Sequence, residues 1–246
     1  MNILCKHLRQ DRVRLVASMM FSALVTAVLP AVADGGSYVD LRRIEPIRGD
    51  MASGAEKTTV CLACHGPSGN SIVPQFPSLA GQRADYLYHR LVAFKAANPK
   101  DPSYASSPMP ALVQNLSDQD MRNIAVYFAA QTPIAPVPPP AVAAAGKGEA
   151  LYSSGDPSHG VPPCLGCHGA SALGGPVEAG SQYLVYPLLR SQHAAYLVSR
   201  LTNFRNGRPN GSSNDFIMHG VALTLDDDSI EALAAWLASL PPATAK

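Results

Sequence analysis

Two short stretches carry residue types able to do chemistry at a fixed spacing: Cys61-Leu62-Ala63-Cys64-His65 and Cys164-Leu165-Gly166-Cys167-His168. Each reads Cys-x-x-Cys-His. Two thiols one helical turn apart can each bond one vinyl arm of the same porphyrin, and the histidine that follows is then held under the iron as its proximal nitrogen ligand. The pattern predicts two covalently attached haem c groups, on Cys61 and Cys64 with His65, and on Cys164 and Cys167 with His168. A zinc site uses the same residue types, but ribbon-type sites pair their two Cys-x-x-Cys knuckles over a short stretch. Here the two motifs are offset by 103 residues and each runs into a histidine. Structural disulfides account for the pattern still less well.

A haem iron bound to one histidine has a sixth position, and its occupant decides the chemistry. A thioether gives a low-spin iron of raised potential suited to carrying electrons, a second histidine lowers the potential, and an open position admits ligands or peroxide. Downstream of residue 33 the methionines are Met51, Met109, Met121 and Met218. Only Met109 and Met218 are equivalent across the internal repeat described below, each on an expected loop seven residues before a matched leucine. They are the expected sixth ligands, and His219 is the rival for the second. Met121 falls inside an expected helix and reads as core. His89 and His193 are expected at the surface, and His159 has no evident role. An iron-bound histidine normally donates its other N–H to a carbonyl. Pro77 and Pro187, in equivalent positions after the two motifs, are the expected acceptors. For Arg90 and Arg200, also equivalent, pairing with haem propionates and simple solvation are both open.

The elements that must position these residues are helical. Met51 to Val60 reads as a short helix delivering Cys61. Arg83 to Ala97 is amphipathic, with Tyr86, Leu87, Leu91 and Phe94 on one face. A last helix starts at Ser117 as N-cap, with Asp118 and Asp120 in its first turn and Met121, Ile124, Ala125 and Phe128 as its core face. The second half repeats the first. Gln82, Tyr86, Leu87, Arg90, Leu91 and Phe94 match Gln192, Tyr196, Leu197, Arg200, Leu201 and Phe204 at an offset of 110, and Met109 and Leu116 match Met218 and Leu225 at 109. So long a period is a duplicated domain rather than a solenoid. The expected division is an export signal over 1–33, an extension over 34–49, a first domain over 50–131, a proline-rich linker over 132–148, a second domain over 149–241 and a tail over 242–246. The fold class is all-α, with two tandem helical domains.

Residues 1–33 have a basic front, an apolar run and the small-x-small sequence Ala31-Val32-Ala33, which reads as a cleaved secretory signal rather than a retained anchor. Haem c is attached in an oxidising compartment outside the bacterial cytoplasm, so signal and motif agree on a periplasmic location. The whole chain has 19 Lys+Arg and 18 Asp+Glu; removal of Lys6, Arg9, Arg12, Arg14 and Asp11 leaves 15 and 17, a net charge of −2. That is no footprint for nucleic acid. Residues 34–50 read as a plain leader, with a strap on the first domain or a docking segment as alternatives.

The runs CLACHGPSGNS, FPSLAGQ, MPALVQNLSDQD and GVPPCLGCHG, followed by YPLLRSQHAAYLVSRLTNFRNG and MHGVALTLDDDSIEALAAWL, resemble the dihaem cytochrome c4 family from about Asp50 to Leu240. The resemblance implies two cytochrome c-like domains related by a pseudo-two-fold axis. It implies His65 with Met109 and His168 with Met218 as axial ligands, and Pro77 and Pro187 as carbonyl acceptors. It further implies an electron carrier without catalytic residues or a small-molecule substrate, working between a donor dehydrogenase or quinol-oxidising complex and an acceptor such as a terminal oxidase. A tightly bound haem subunit of a periplasmic dehydrogenase is the alternative, and a dihaem peroxidase a remote one. The second half lacks the Gly69-Asn70-Ser71 run, a departure that touches loops rather than ligands.

Overall fold

The computed structural model describes residues 39–97, 107–135, 145–175, 181–207 and 212–243. The expected export signal, and residues 136–144 of the expected linker, lie outside them. The first half contains α1 (Met51–Lys57), α2 (Thr59–His65), α3 (Ala84–Ala96), α4 (Met109–Leu112) and α5 (Asp118–Ala129). The second contains α6 (Ala145–Ser154), α7 (Leu165–His168), α8 (Ala194–Asn206), α9 (Ser213–Ala222) and α10 (Asp227–Ser239). Among the described residues there is no β-strand, only isolated bridges at Val39–Ser212 and Asp156–Val161.

Local chemistry sets the ends of these helices. The Ser117 hydroxyl accepts from the Asp120 N–H while the Asp120 carboxylate accepts from the Ser117 N–H, a reciprocal cap that starts α5. Asp226 caps α10 through the Ser229 N–H at 2.7 Å. The single helix expected over Met51–Val60 is broken at Thr58. Its buried hydroxyl donates back to the Ala55 carbonyl at 2.8 Å, and that local bond competes with the regular ladder. The break separates α1 from α2, which carries the first Cys-x-x-Cys-His motif.

Each half has its own core. Leu87 and Tyr88 of α3 meet Met121, Ile124, Ala125 and Phe128 of α5, the face read from the 3.6-residue period. In the second half Leu151, Tyr152, Leu197, Ile230, Leu233 and Leu237 form the counterpart. Burying a side chain such as Phe128, 1% exposed, contributes roughly 1.5–3 kcal/mol. In both halves the first helix crosses the last one, α1 on α5 and α6 on α10. A glycine marks each crossing: a Cβ on Gly54 would lie 2.2 Å from the Asn123 carbonyl oxygen, and one on Gly148 would lie 2.1 Å from that of Ala232.

The two halves meet through contacts that recur with their roles exchanged. The Gln82 amide pairs with the N–H and C=O of Leu188 at 2.9 and 3.0 Å. Its equivalent Gln192 pairs with the N–H and C=O of Ser78, both at 3.0 Å. Arg83 donates to the carbonyls of Leu173, Gly175 and Tyr183 in the second half. The residue matching it, His193, uses Nε2 to reach the Ser71 carbonyl of the first half at 2.9 Å. His193 is therefore buried at the seam, not at the surface as its sequence suggested. The reason is its place, opposite Arg83 in the repeat, where a long donor is needed by the other half's loop.

The described part of the stretch expected as a plain leader, residues 39–50, is instead a strap that touches both halves. Leu41 is buried with Val185 and Tyr186, and its N–H donates to the Ser213 hydroxyl. Further along, the Ile47 N–H donates to Asp85 and the Asp50 N–H to Asn123.

Gly54→Ala and Gly148→Ala each drive a methyl into backbone that cannot rotate away. Each should cost about 1–3 kcal/mol in denaturant unfolding, whereas Gly146→Ala, with open space around it, should cost nothing. Ser191 sits at φ 58° with a buried hydroxyl that has no partner, where the matching residue is Gly81. Ser191→Gly removes both penalties and should raise stability by about 1 kcal/mol in the same assay.

Candidate haem sites

Both motif histidines end a helix and are turned the same way. His65 closes α2 and His168 closes α7, and each is 7% exposed. Glycine follows each of them, Gly66 at φ 76° and Gly169 at φ 75°, a positive-φ backbone conformation that favours glycine, and the helix stops there. In the second half the Tyr152 hydroxyl pins this turn by donating to the Gly169 carbonyl at 2.6 Å.

His65 Nδ1 lies 2.8 Å from the Pro77 carbonyl oxygen, and His168 Nδ1 lies 3.1 Å from that of Pro187. A carbonyl only accepts, so Nδ1 carries the proton in both rings. Nε2 of each ring makes no hydrogen bond among the described residues. Burial lowers the pKa of both rings, against the opposing pull of the carbonyl, and keeps them neutral. A buried neutral imidazole with Nδ1–H fixed and a bare lone pair on Nε2 is what a metal requires of a histidine ligand.

The thiols fit the same group. Cys61, Cys64, Cys164 and Cys167 are all free, and each pair lies in the helical turn that ends at its histidine. Burial raises Cys61 and pushes Cys164 up to about 11. Among the described residues no three His, Cys, Asp or Glu side chains converge as a metal site of their own. The zinc reading finds no ligand set, whereas a porphyrin needs only two thiols and one imidazole from this side.

The two methionines are placed differently from one another. Met109 opens the one-turn helix α4 after Pro108, close to the expected loop. Met218 does not lie on a loop. It is inside α9, which Ser212 caps by accepting from the Asp215 N–H. Pro108 and Pro110 keep the first half from forming the longer helix, while no proline stands within α9. Both methionines are half-buried. His219 is tied away by Nδ1, which donates to the Phe204 carbonyl on α8 at 2.6 Å. His159 is exposed and pairs locally with Asp156, and His89 is half-buried edge-on to Tyr88.

Arg90 and Arg200 are not simply solvated. Arg90 lies over the Phe94 ring and within 3.4 Å of Asp215 in the other half, and Arg200 lies over Phe204. Both are close enough to Tyr196 to favour its ionised form, although burial dominates and Tyr86 adds to it, so that Tyr196 is raised well above the usual tyrosine value. The seam thus collects two matched arginines and two matched tyrosines. Sequence reasoning marked Gln82 and Gln192 as matched without giving them work. It missed Arg83 and His193, because the repeat conserves their position but not their type.

The cytochrome c family model matches residues 52–131 and 145–241, one match per half. Cytochrome c4 of Azotobacter vinelandii is 35% identical over 225 residues, covering 90% of this chain and 100% of that one. A thiosulfate dehydrogenase electron acceptor of Thiomonas intermedia (strain K12) is 32% identical, covering 77% and 82%. The crystal structure of reduced recombinant cytochrome c4 from Pseudomonas stutzeri superposes with a TM-score of 0.68 at 38% identity, covering 78% of this chain and 100% of that one. The chain belongs to the cytochrome c4 family, electron-transfer proteins whose two domains each hold a covalent haem c.

Proposed function

We propose that the chain is a periplasmic carrier that moves electrons one at a time between a donor dehydrogenase or quinol-oxidising complex and an acceptor such as a terminal oxidase. Cys61 and Cys64 attach one haem and Cys164 and Cys167 the other, with His65 and Met109, and His168 and Met218, as axial ligands. The observation that carries this reading is the duplicated imidazole geometry, Nδ1–H on a proline carbonyl and Nε2 bare in both halves. A haem so ligated supplies reversible one-electron oxidation and reduction without a vacant coordination position. The chain's part is to hold the neutral ring in one tautomer, to shield it from water, and to place Arg90 and Arg200 where they can face propionates.

A second reading is a lasting haem subunit of a dehydrogenase. It is favoured by the similarity to a protein named as the electron acceptor of thiosulfate dehydrogenase. The ligands are the same in both readings, and the difference is how long the partner stays.

Electron paramagnetic resonance of the oxidised, haem-loaded protein should give two low-spin His/Met signals. Met109→Leu and Met218→Leu should each convert about half of the low-spin intensity to high spin and lower one midpoint potential, the two variants affecting different haems. High-spin or bis-His signals from the parent protein would overturn the ligand assignment and reopen the peroxidase reading. Affinity capture from periplasmic extract separates the other two. A carrier should elute free of stoichiometric partners at moderate salt, whereas a subunit should retain one dehydrogenase through gel filtration.

A further inference from the structure

The glutamines that join the halves also touch the groups that hold the histidines. Pro77 C=O and Ser78 N–H belong to one peptide group, and so do Pro187 C=O and Leu188 N–H. On the first, the carbonyl accepts from His65 Nδ1 while the N–H donates to Gln192 Oε1 at 3.0 Å. On the second, the carbonyl accepts from His168 Nδ1 while the N–H donates to Gln82 Oε1 at 2.9 Å. Each chain of bonds therefore starts in one half and ends on the histidine of the other. Both glutamines are buried, at 8% exposure, and both are fixed at the far end. Gln82 Oε1 also accepts from the Arg83 N–H at 2.9 Å, and Gln192 Oε1 from the His193 N–H at 3.1 Å.

We infer that Gln82 and Gln192 are positioning residues that set the electron donation of the opposite half's histidine, Gln82 acting on His168 and Gln192 on His65. The peptide group is planar and stiff, so a partner on its N–H fixes where its carbonyl points. Hydrogen bonds in series polarise one another, so donation from the Leu188 N–H to Gln82 makes the Pro187 oxygen a stronger acceptor. A stronger acceptor on Nδ1–H makes the ring a better donor through Nε2, which favours the ferric over the ferrous state. The arrangement gives each domain a say in its neighbour's potential without any contact between the two histidines.

The inference rests on His65 and His168 being the iron-bound histidines, and the test separates the two claims. In the oxidised parent protein the hyperfine-shifted ring protons should belong to His65 and His168; if they belong to other histidines, the ligand reading fails. Gln82→Met and Gln192→Met are then compared by following those ring protons through a redox titration. Gln82→Met should raise the midpoint of the His168 haem, with the ferrous-to-ferric ratio at fixed potential rising about threefold, equivalent to about 28 mV for one electron, and leave the His65 haem unmoved. Gln192→Met should do the reverse. In the reduced state the Nδ1–H proton of the opposite histidine should move upfield, as its hydrogen bond weakens.

The two variants remove the same bonds from the same interface, so a merely structural role predicts like effects on stability and on both midpoints. Shifts confined to the near haem, equal on both haems, or absent would overturn the inference. Amide exchange in the parent protein decides the matter even if neither variant folds. Ser78 and Leu188 N–H should both be strongly protected, and rapid exchange at either would remove the bond on which the inference stands.

Discussion

A histidine that must offer a bare lone pair at one nitrogen needs its other nitrogen occupied by an acceptor. That requirement organises this molecule. In water an imidazole exchanges tautomers and protonates near its ordinary pKa; here burial depresses the pKa and a proline carbonyl fixes the proton on Nδ1. Proline suits this task because it has no N–H of its own and its φ is locked, so its carbonyl is held with little freedom to lose. The helix that ends at each histidine, the glycine that turns the chain after it, and the loop that returns to the proline all serve to bring those two groups within hydrogen-bonding distance.

The two halves meet the same requirement with unequal means. In the first, α1 and α2 run almost directly into the motif, with Thr58 as the break. In the second, eleven residues from Gly155 to Leu165 intervene between the end of α6 and the middle of the motif, folded by the Asp156–Val161 bridge and by the Asp156 side chain on Ser158. The return path to proline is longer as well, 19 residues against 12. Extra loop length costs only logarithmically in closure entropy, so the second half tolerates it while the end geometry stays the same. Met109 and Met218 differ in the same manner, one on a single turn and the other inside a capped helix.

Much of this was legible in the residues. Cys-x-x-Cys-His fixed the motif, the 3.6-residue period picked out the Phe128 face, and the repeat paired Pro77 with Pro187. What escaped depends on contacts between halves, which no local pattern encodes. His193 looked like a surface residue because the other half has no histidine at the matching position; only that half's Ser71 carbonyl gives it a reason to be buried. Residues 39–50 looked like a leader because their anchors, Val185, Ser213, Asp85 and Asn123, are scattered along the chain. Met218 was expected on a loop because its equivalent is flanked by prolines, and helix formation in α9 depends on the lack of them.

The composition of the seam follows from its setting. Its central bonds are neutral, amide to backbone, and its one cross-half ion pair, Arg90 with Asp215 among the described residues, lies beside them. A redox centre changes its charge by one unit at every turnover. In a medium of low dielectric that change acts strongly on nearby charges and much less on amide dipoles. An interface built of ion pairs around such centres would be pulled between two arrangements as electrons come and go. One held by amides, with Arg83 bonded to three carbonyls rather than to a carboxylate, offers fewer ion pairs for such a change to pull on. For an electron carrier such a seam has a direct use: the less the surroundings must rearrange when the charge changes, the smaller the barrier to changing it.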